Sequence, residues 1–298
     1  MTALLSALGP ETPSSVSIFV ACTIWTFAVV TIIWAIGLIQ GNHSMMDGYY
    51  GFGFAIPAWI AFVASGATSQ TAVVLLVLAS LHGCRLGWYL AARWRGYAKT
   101  YGGDPRYLRF ARETYTPGYW WTSFFVVMEP QAVIIVLIGA PAVIGILGAR
   151  DQGADFGLLG ALGVLVFAVG FYFETLADGQ LQAFLADKPH NQGRYLDTGV
   201  WTHSRHPNYF GNTTVWWGIW IVAVAGHPAI WWTVAGPVIN TIMLTKVLGS
   251  TFQDRHMGGR PEYQKLMART RGFLPLPVRR PEVPDAAGAG SGTTEALR

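Results

Sequence analysis

Long apolar runs separated by short polar pieces are the dominant pattern along the chain. A helix needs about 20 mostly apolar residues to cross a bilayer. Runs of roughly that kind cover Ser15 to Gln40, Gly51 to Gly66 (short), Thr71 to Ala92, Tyr119 to Leu147, Phe156 to Ala186, Tyr209 to Ala225 and Ala229 to Gly249. The pattern predicts an all-α, polytopic membrane bundle of about seven transmembrane helices. Pro130 and Pro141 are placed to bend the fourth, because a proline removes a helical N–H and crowds the preceding turn. The expected organisation is one domain over residues 1–280, with residues 281–298 as a disordered tail that has little apolar surface to bury. The first apolar run is too long for a signal-peptide core, and no Lys or Arg precedes it, so it reads as a retained anchor.

Composition agrees with the pattern. Of 298 residues, 52% are hydrophobic and only 12% charged, about half the charge of an ordinary soluble domain. Mean hydropathy is +0.36. Cys22 and Cys84 both lie inside apolar runs, which excludes a disulfide framework and a thiolate metal cluster. The basic residues set an expected orientation. With the N-terminus outside, the cytoplasmic pieces 41–50, 93–118, 187–208 and 250–298 hold seventeen of the 20 Lys and Arg, and the outside pieces hold only Arg150. The reading is N-out and C-in, and the net charge of +4 is then a topology signal, with no nucleic-acid partner implied.

Ionisable side chains inside such runs cost at least about 2.5 kcal/mol near the bilayer centre unless partnered. Here they are Asp47 at a span edge, His82 and Arg85 in the third run, Glu129 in the fourth, Glu174 and Asp178 in the fifth, and Lys246 in the seventh. Glu174 and Asp178 are four apart, so they share one helical face, which Gln182 extends. That face must look into the bundle or into a wet cavity. One reading pairs these residues with each other, Arg85 with Glu174 or Asp178, to hold the bundle together. The other gives them a polar ligand.

The densest polar segment runs from Arg194 to Asn212, joining the fifth run to the sixth. Arg205, His206, Asn208 and Tyr209 cluster at a helix start, with Pro207 suited to the first turn. Free N–H groups and cationic side chains there attract a phosphate or carboxylate. A basic anchor on anionic headgroups is the plainer alternative. A metal site at His203 and His206 is not expected, since Arg205 lies between them and no thiolate is near. After the last run, Arg255, His256, Arg260, Tyr263, Lys265, Arg269 and Arg271 form an amphipathic stretch. By itself it reads as an interfacial helix. Together with the Arg194 to Asn212 loop it would close two sides of one anionic pocket.

The ordered elements Leu-Ala-Asp178-Gly-Gln180, Thr198-Gly-Val-Trp201, Ser204-Arg-His-Pro-Asn-Tyr-Phe-Gly211, Arg260-Pro-Glu-Tyr263 and Phe273-Leu-Pro275 resemble the steroid 5-alpha-reductase C-terminal-domain family. They are closest to its bacterial branch of uncharacterised, DUF1295-like membrane proteins, and the likeness covers roughly residues 40–277. It implies a membrane-embedded reductase that takes a hydride from NADPH, with the cofactor-binding part at about 150–280 opening to the cytoplasm of a bacterial inner membrane. Carried over, Asp178, Arg194, Arg205, His206, Asn208, Tyr209 and Asn212 would contact the dinucleotide, and Arg255, His256 and Tyr263 would close its phosphate and adenosine side. Asp47 falls at the acidic catalytic position, with Tyr49 and Tyr50 beside it to supply the phenolic donor, and the substrate would be a steroid-like or other apolar enone lipid. The chain departs from the family in having Met46-Asp47 for Gln-Glu, no tyrosine near His82-Gly83, and Asn212 for the usual acid. The Arg-His-Pro element also occurs in isoprenylcysteine carboxyl methyltransferases, so an S-adenosylmethionine-dependent methyltransferase is the alternative enzyme. A non-catalytic lipid binder or transporter is the third possibility.

Overall fold

The computed structural model describes residues 13–108, 118–150, 156–247 and 250–277; the expected tail at 281–298 lies outside them. Every described element is helical, apart from one isolated bridge between Ser204 and Arg271. Helix α1 is Ser15–Gln40, α2 is Met45–Ser65, α3 is Gln70–Tyr101, α4 is Tyr119–Gly148 and α5 is Gly157–Ala186. These five are long and apolar enough to cross a membrane. Their outward faces carry Val16, Ile24, Ile32, Leu158 and Leu165 in the open, an arrangement that suits lipid and not water. The chain is an all-α, multi-pass integral membrane protein.

Local chemistry sets the ends. Ser14 caps α1 by accepting from the Ser17 N–H at 3.1 Å, and Ser69 caps α3 by accepting from Ala72 at 3.2 Å. Gly41 and Gly102 close the same helices in the left-handed region, at φ 64° and 78°. In α4, Ser123–Met128 is a π-helical stretch lying directly before Pro130. The missing proline N–H explains why the irregular turn sits there.

The two remaining expected crossings take different forms. The sixth is α6, Pro207–Gly226, whose opening Asn, Tyr and Thr residues dilute its apolar character. The seventh, expected as one continuous span, is broken into a 3-10 stretch Pro228–Val234, helix α7 Ala235–Ile242 and a π stretch Met243–Val247. Proline at 228 and 237 accounts for part of that fragmentation. Two short helices follow, α8 Ser250–Met257 and α9 Pro261–Arg269.

Helices α5 and α6 touch backbone to backbone. A Cβ on Gly211 would fall 2.4 Å from the Glu174 nitrogen, and one on Gly170 would fall 2.5 Å from the Val215 nitrogen. Only glycine lets the two axes approach so closely. This contact sets Glu174 of α5 beside Asn212 of α6, and Asp178 beside Asn208. Around it Trp216, Ile219, Val215 and Val222 are fully buried.

Candidate functional site

Three polar clusters lie along the bundle. The deepest joins α3, α5, α6 and α7. Arg85 reaches both acids on the shared face of α5, with Nη1 2.6 Å from Asp178 Oδ2 and Nη2 3.0 Å from Glu174 Oε1. His82 Nδ1 stands 3.3 Å from Glu174 Oε2, and its ring is walled by Phe54 and Trp216. Asn208 donates to Asp178 Oδ1 at 3.1 Å, Asn212 donates to Glu174 Oε1 at 2.9 Å, and Asn240 donates to Asn212 at 3.0 Å. The choice posed by the sequence between Glu174 and Asp178 as partner of Arg85 resolves to both.

The second cluster surrounds Asp47. Its Oδ2 meets Arg93 Nη2 at 2.8 Å and Arg106 Nη2 at 2.5 Å, while Tyr107 donates its hydroxyl to Oδ1 at 3.0 Å. Arg106 also binds Asp104 through two of its nitrogens. Burial pushes the Asp104 carboxyl up, but Arg106 outweighs it and holds the group below its ordinary range. Tyr50, the phenol expected beside Asp47, packs edge-on against Phe54 at 5.3 Å. The phenol that hydrogen-bonds Asp47 is Tyr107, which the sequence reading did not single out. Asp47 is held by two guanidinium groups and one phenol.

The third cluster ties the C-terminal segment to the start of α6. Arg205 grips Asp254 in a two-pronged pair, Nε to Oδ1 at 3.0 Å and Nη2 to Oδ2 at 2.7 Å. Its Nη1 donates to the Thr270 carbonyl at 2.6 Å. Tyr263 donates its hydroxyl to Asp254 Oδ1 at 2.6 Å, and His206 Nε2 lies 3.8 Å from that oxygen. Burial raises the Asp254 carboxyl, yet His206, Arg205 and Tyr263 more than offset it, so its pKa falls well below the usual carboxylate range. The Tyr263 hydroxyl moves up, through burial and then through its bond to that carboxylate.

The sequence-derived site residues are therefore sorted into groups. Asp178, Asn208 and Asn212 belong to the deep cluster, where they bond one another's neighbours. Arg205, His206 and Tyr263 gather around Asp254. Tyr209 stacks on His206 with rings 5.0 Å apart and 5° from parallel, so the two groups abut across one turn of α6. Arg194 and Arg255 are exposed, and the His256 side chain lies outside the described residues. Asp254 is a partner that the sequence pattern does not reveal: one acid lies beside a basic run, and only the fold-back of the chain brings Arg205 and Tyr263 onto it. Two buried donors at this junction, Arg85 Nε and His206 Nε2, have no hydrogen-bond partner among the described residues. Native proteins satisfy such groups as a rule.

The sequence matches the family described as a protein of unknown function, DUF1295, over residues 33–270. The chain belongs to the DUF1295 family. No curated protein and no solved structure matches it.

Proposed function

We propose that this DUF1295 protein is a membrane-embedded, NADPH-dependent reductase acting on a C=C bond of an apolar, enone-like lipid. It would lie N-out and C-in in a bacterial inner membrane, with its cofactor site open to the cytoplasm. The observation that carries the reading is the junction of the deep and C-terminal clusters. Asp178–Asn208 and the His206–Tyr209 stack adjoin there, flanked by the two buried unsatisfied donors. Donor atoms with hydrogen-bonding capacity to spare, beside fixed acceptors and a flat ring pair, suit a ligand with both anionic and aromatic parts. NADPH, when bound, supplies the hydride. Asn208 and Asp178 would hold amide groups, His206 and Tyr209 a ring face, and the exposed Arg194 and Arg255 the phosphates. Asn212 supports this set from behind by fixing Glu174.

Two turns along α3 from Arg85, the Asp47 carboxylate would act by position, holding Arg93, Arg106 and Tyr107. The Tyr50 hydroxyl would stabilise a developing enolate oxygen, an interaction that lowers the barrier by meeting charge as it forms. The wide apolar surface of α1, α2 and α4 suits a lipid substrate.

Titrating the detergent-solubilised full chain with NADPH and, separately, with S-adenosylmethionine tests this. A rise in melting temperature with NADPH alone, abolished in Asn208→Ala, is the expected result. A response to S-adenosylmethionine alone would replace the reductase with a methyltransferase, and silence to both would leave a lipid binder.

A further inference from the structure

Two stretches of chain far apart in sequence are stitched together at the cytoplasmic end expected for α6. The Arg205 N–H donates to the Arg271 carbonyl at 2.9 Å, and the Arg271 N–H donates to the His203 carbonyl at 3.1 Å. The Ser204 hydroxyl donates to the Phe273 carbonyl at 2.9 Å, and the Ser204 Oγ accepts the His206 N–H at 3.1 Å. Backbone pairing of this length is weak, since an isolated bridge has no neighbouring ladder to share its ordering cost. The strong element is the carboxylate of Asp254, which takes both prongs of Arg205 and the hydroxyl of Tyr263. Charge-assisted, two-pronged bonds of this kind are about twice as strong as neutral ones.

Arg205 is consumed by this arrangement. Its side chain is 8% exposed, Nε and Nη2 serve Asp254, Nη1 serves Thr270, and Gly272 packs against Nη2. A ligand phosphate would have to displace Asp254 to reach it. His206, the next residue, keeps a buried Nε2 with no hydrogen-bond partner among the described residues, and its ring lies flat on Tyr209.

We infer that Asp254 is a positioning residue: it locks Arg205 as an internal strut, and the strut fixes the His206–Tyr209 platform and Asn208 for the dinucleotide without Arg205 touching the ligand. The identity of the ligand rests on the reductase reading; the mechanics of the strut do not. A role for Arg205 as direct phosphate clamp makes the opposite prediction, because Asp254 would then be a competitor for the guanidinium.

The experiment uses the full chain in detergent, as wild type and as Asp254→Asn, Asp254→Glu and Tyr263→Phe. Hydrogen exchange is followed over 203–209 and 250–277, and NADPH affinity by titration. Asp254→Asn is expected to accelerate exchange in both stretches and to weaken NADPH by about tenfold, the effect of losing one charge-assisted bond. Asp254→Glu should recover most of both, and Tyr263→Phe should give a smaller change in the same direction. Where turnover is measurable, KM for NADPH rises while kcat holds. Tighter NADPH binding in Asp254→Asn, or faster exchange with unchanged affinity, would overturn the assignment. If wild type ignores NADPH, the reductase reading falls, and the exchange comparison still decides whether Asp254 fixes the loop.

Discussion

Helix α3 carries two arginines two turns apart, Arg85 and Arg93, and they end in ion clusters of inverse make-up. Arg85 is one cation serving two acids, with side-chain exposures of 15% for Arg85, 3% for Glu174 and 7% for Asp178. Arg93 is one of two cations on the single acid Asp47, and its fellow, Arg106, is 64% exposed. The pair distances are alike, so geometry does not separate the two. Burial does. Charges withdrawn from solvent cannot fall back on water when a partner is lost, whereas an exposed guanidinium is already hydrated. Similar contacts in one helix therefore differ in energy severalfold, and the deep cluster is where the bundle depends on a single side chain.

Removing that side chain has the largest expected effect. Arg85→Ala leaves Glu174 and Asp178 facing each other without a cation, and a loss of about 3–5 kcal/mol is expected. It would register as a large drop in thermal stability of the detergent-solubilised protein. Arg85→Lys should recover only part, since a point charge cannot bridge two carboxylates as a planar fork does.

Next is the acid response of the C-terminal clasp. The folded Asp254 carboxyl has a pKa below its unfolded value, which is about 3.9. A depressed carboxylate contributes stability that is fully present above the unfolded pKa and is lost as pH falls toward the folded one. The clasp should hold unchanged from neutral pH to about pH 4 and release only in stronger acid. Proteolysis of residues 250–277 across that range reads the release, and release near neutrality would contradict it.

The smallest effect belongs to the exposed side of the comparison. Arg106→Ala should cost less than Arg85→Ala, because Arg93 and Tyr107 remain on Asp47, although it also strips Asp104, whose side chain is only 3% exposed, of its cation. A loss matching that of Arg85→Ala in the same assay would erase the distinction between the clusters.

Much of this was legible in the residues alone. The five long spans follow from apolar run length, and the common face of Glu174 and Asp178 follows from a spacing of four. The break in the seventh expected span was harder to see, since Ala229 to Gly249 is apolar enough to count as continuous. Its irregular turns depend on where Pro237 falls among its neighbours. In the C-terminal segment basic residues dominate the pattern, so Asp254 beside Arg255 and His256 carries no sequence mark of its pairing. Arg205 looked like a free cation for a ligand for the same reason: its partner lies 49 residues away.

By itself the sequence determined that this chain is a helical membrane protein with costly charges inside it, because helix formation and membrane burial respond to local runs and periods. Only the tertiary structure decided which charge meets which. Arg85 reaches Asp178 across 93 residues because the bundle brings α3 alongside α5, and Arg205 reaches Asp254 because the chain folds back after the last helical stretch. Pairing energy falls steeply with distance and depends on solvent exclusion, and both quantities are fixed by packing between segments that carry no mark of one another in sequence.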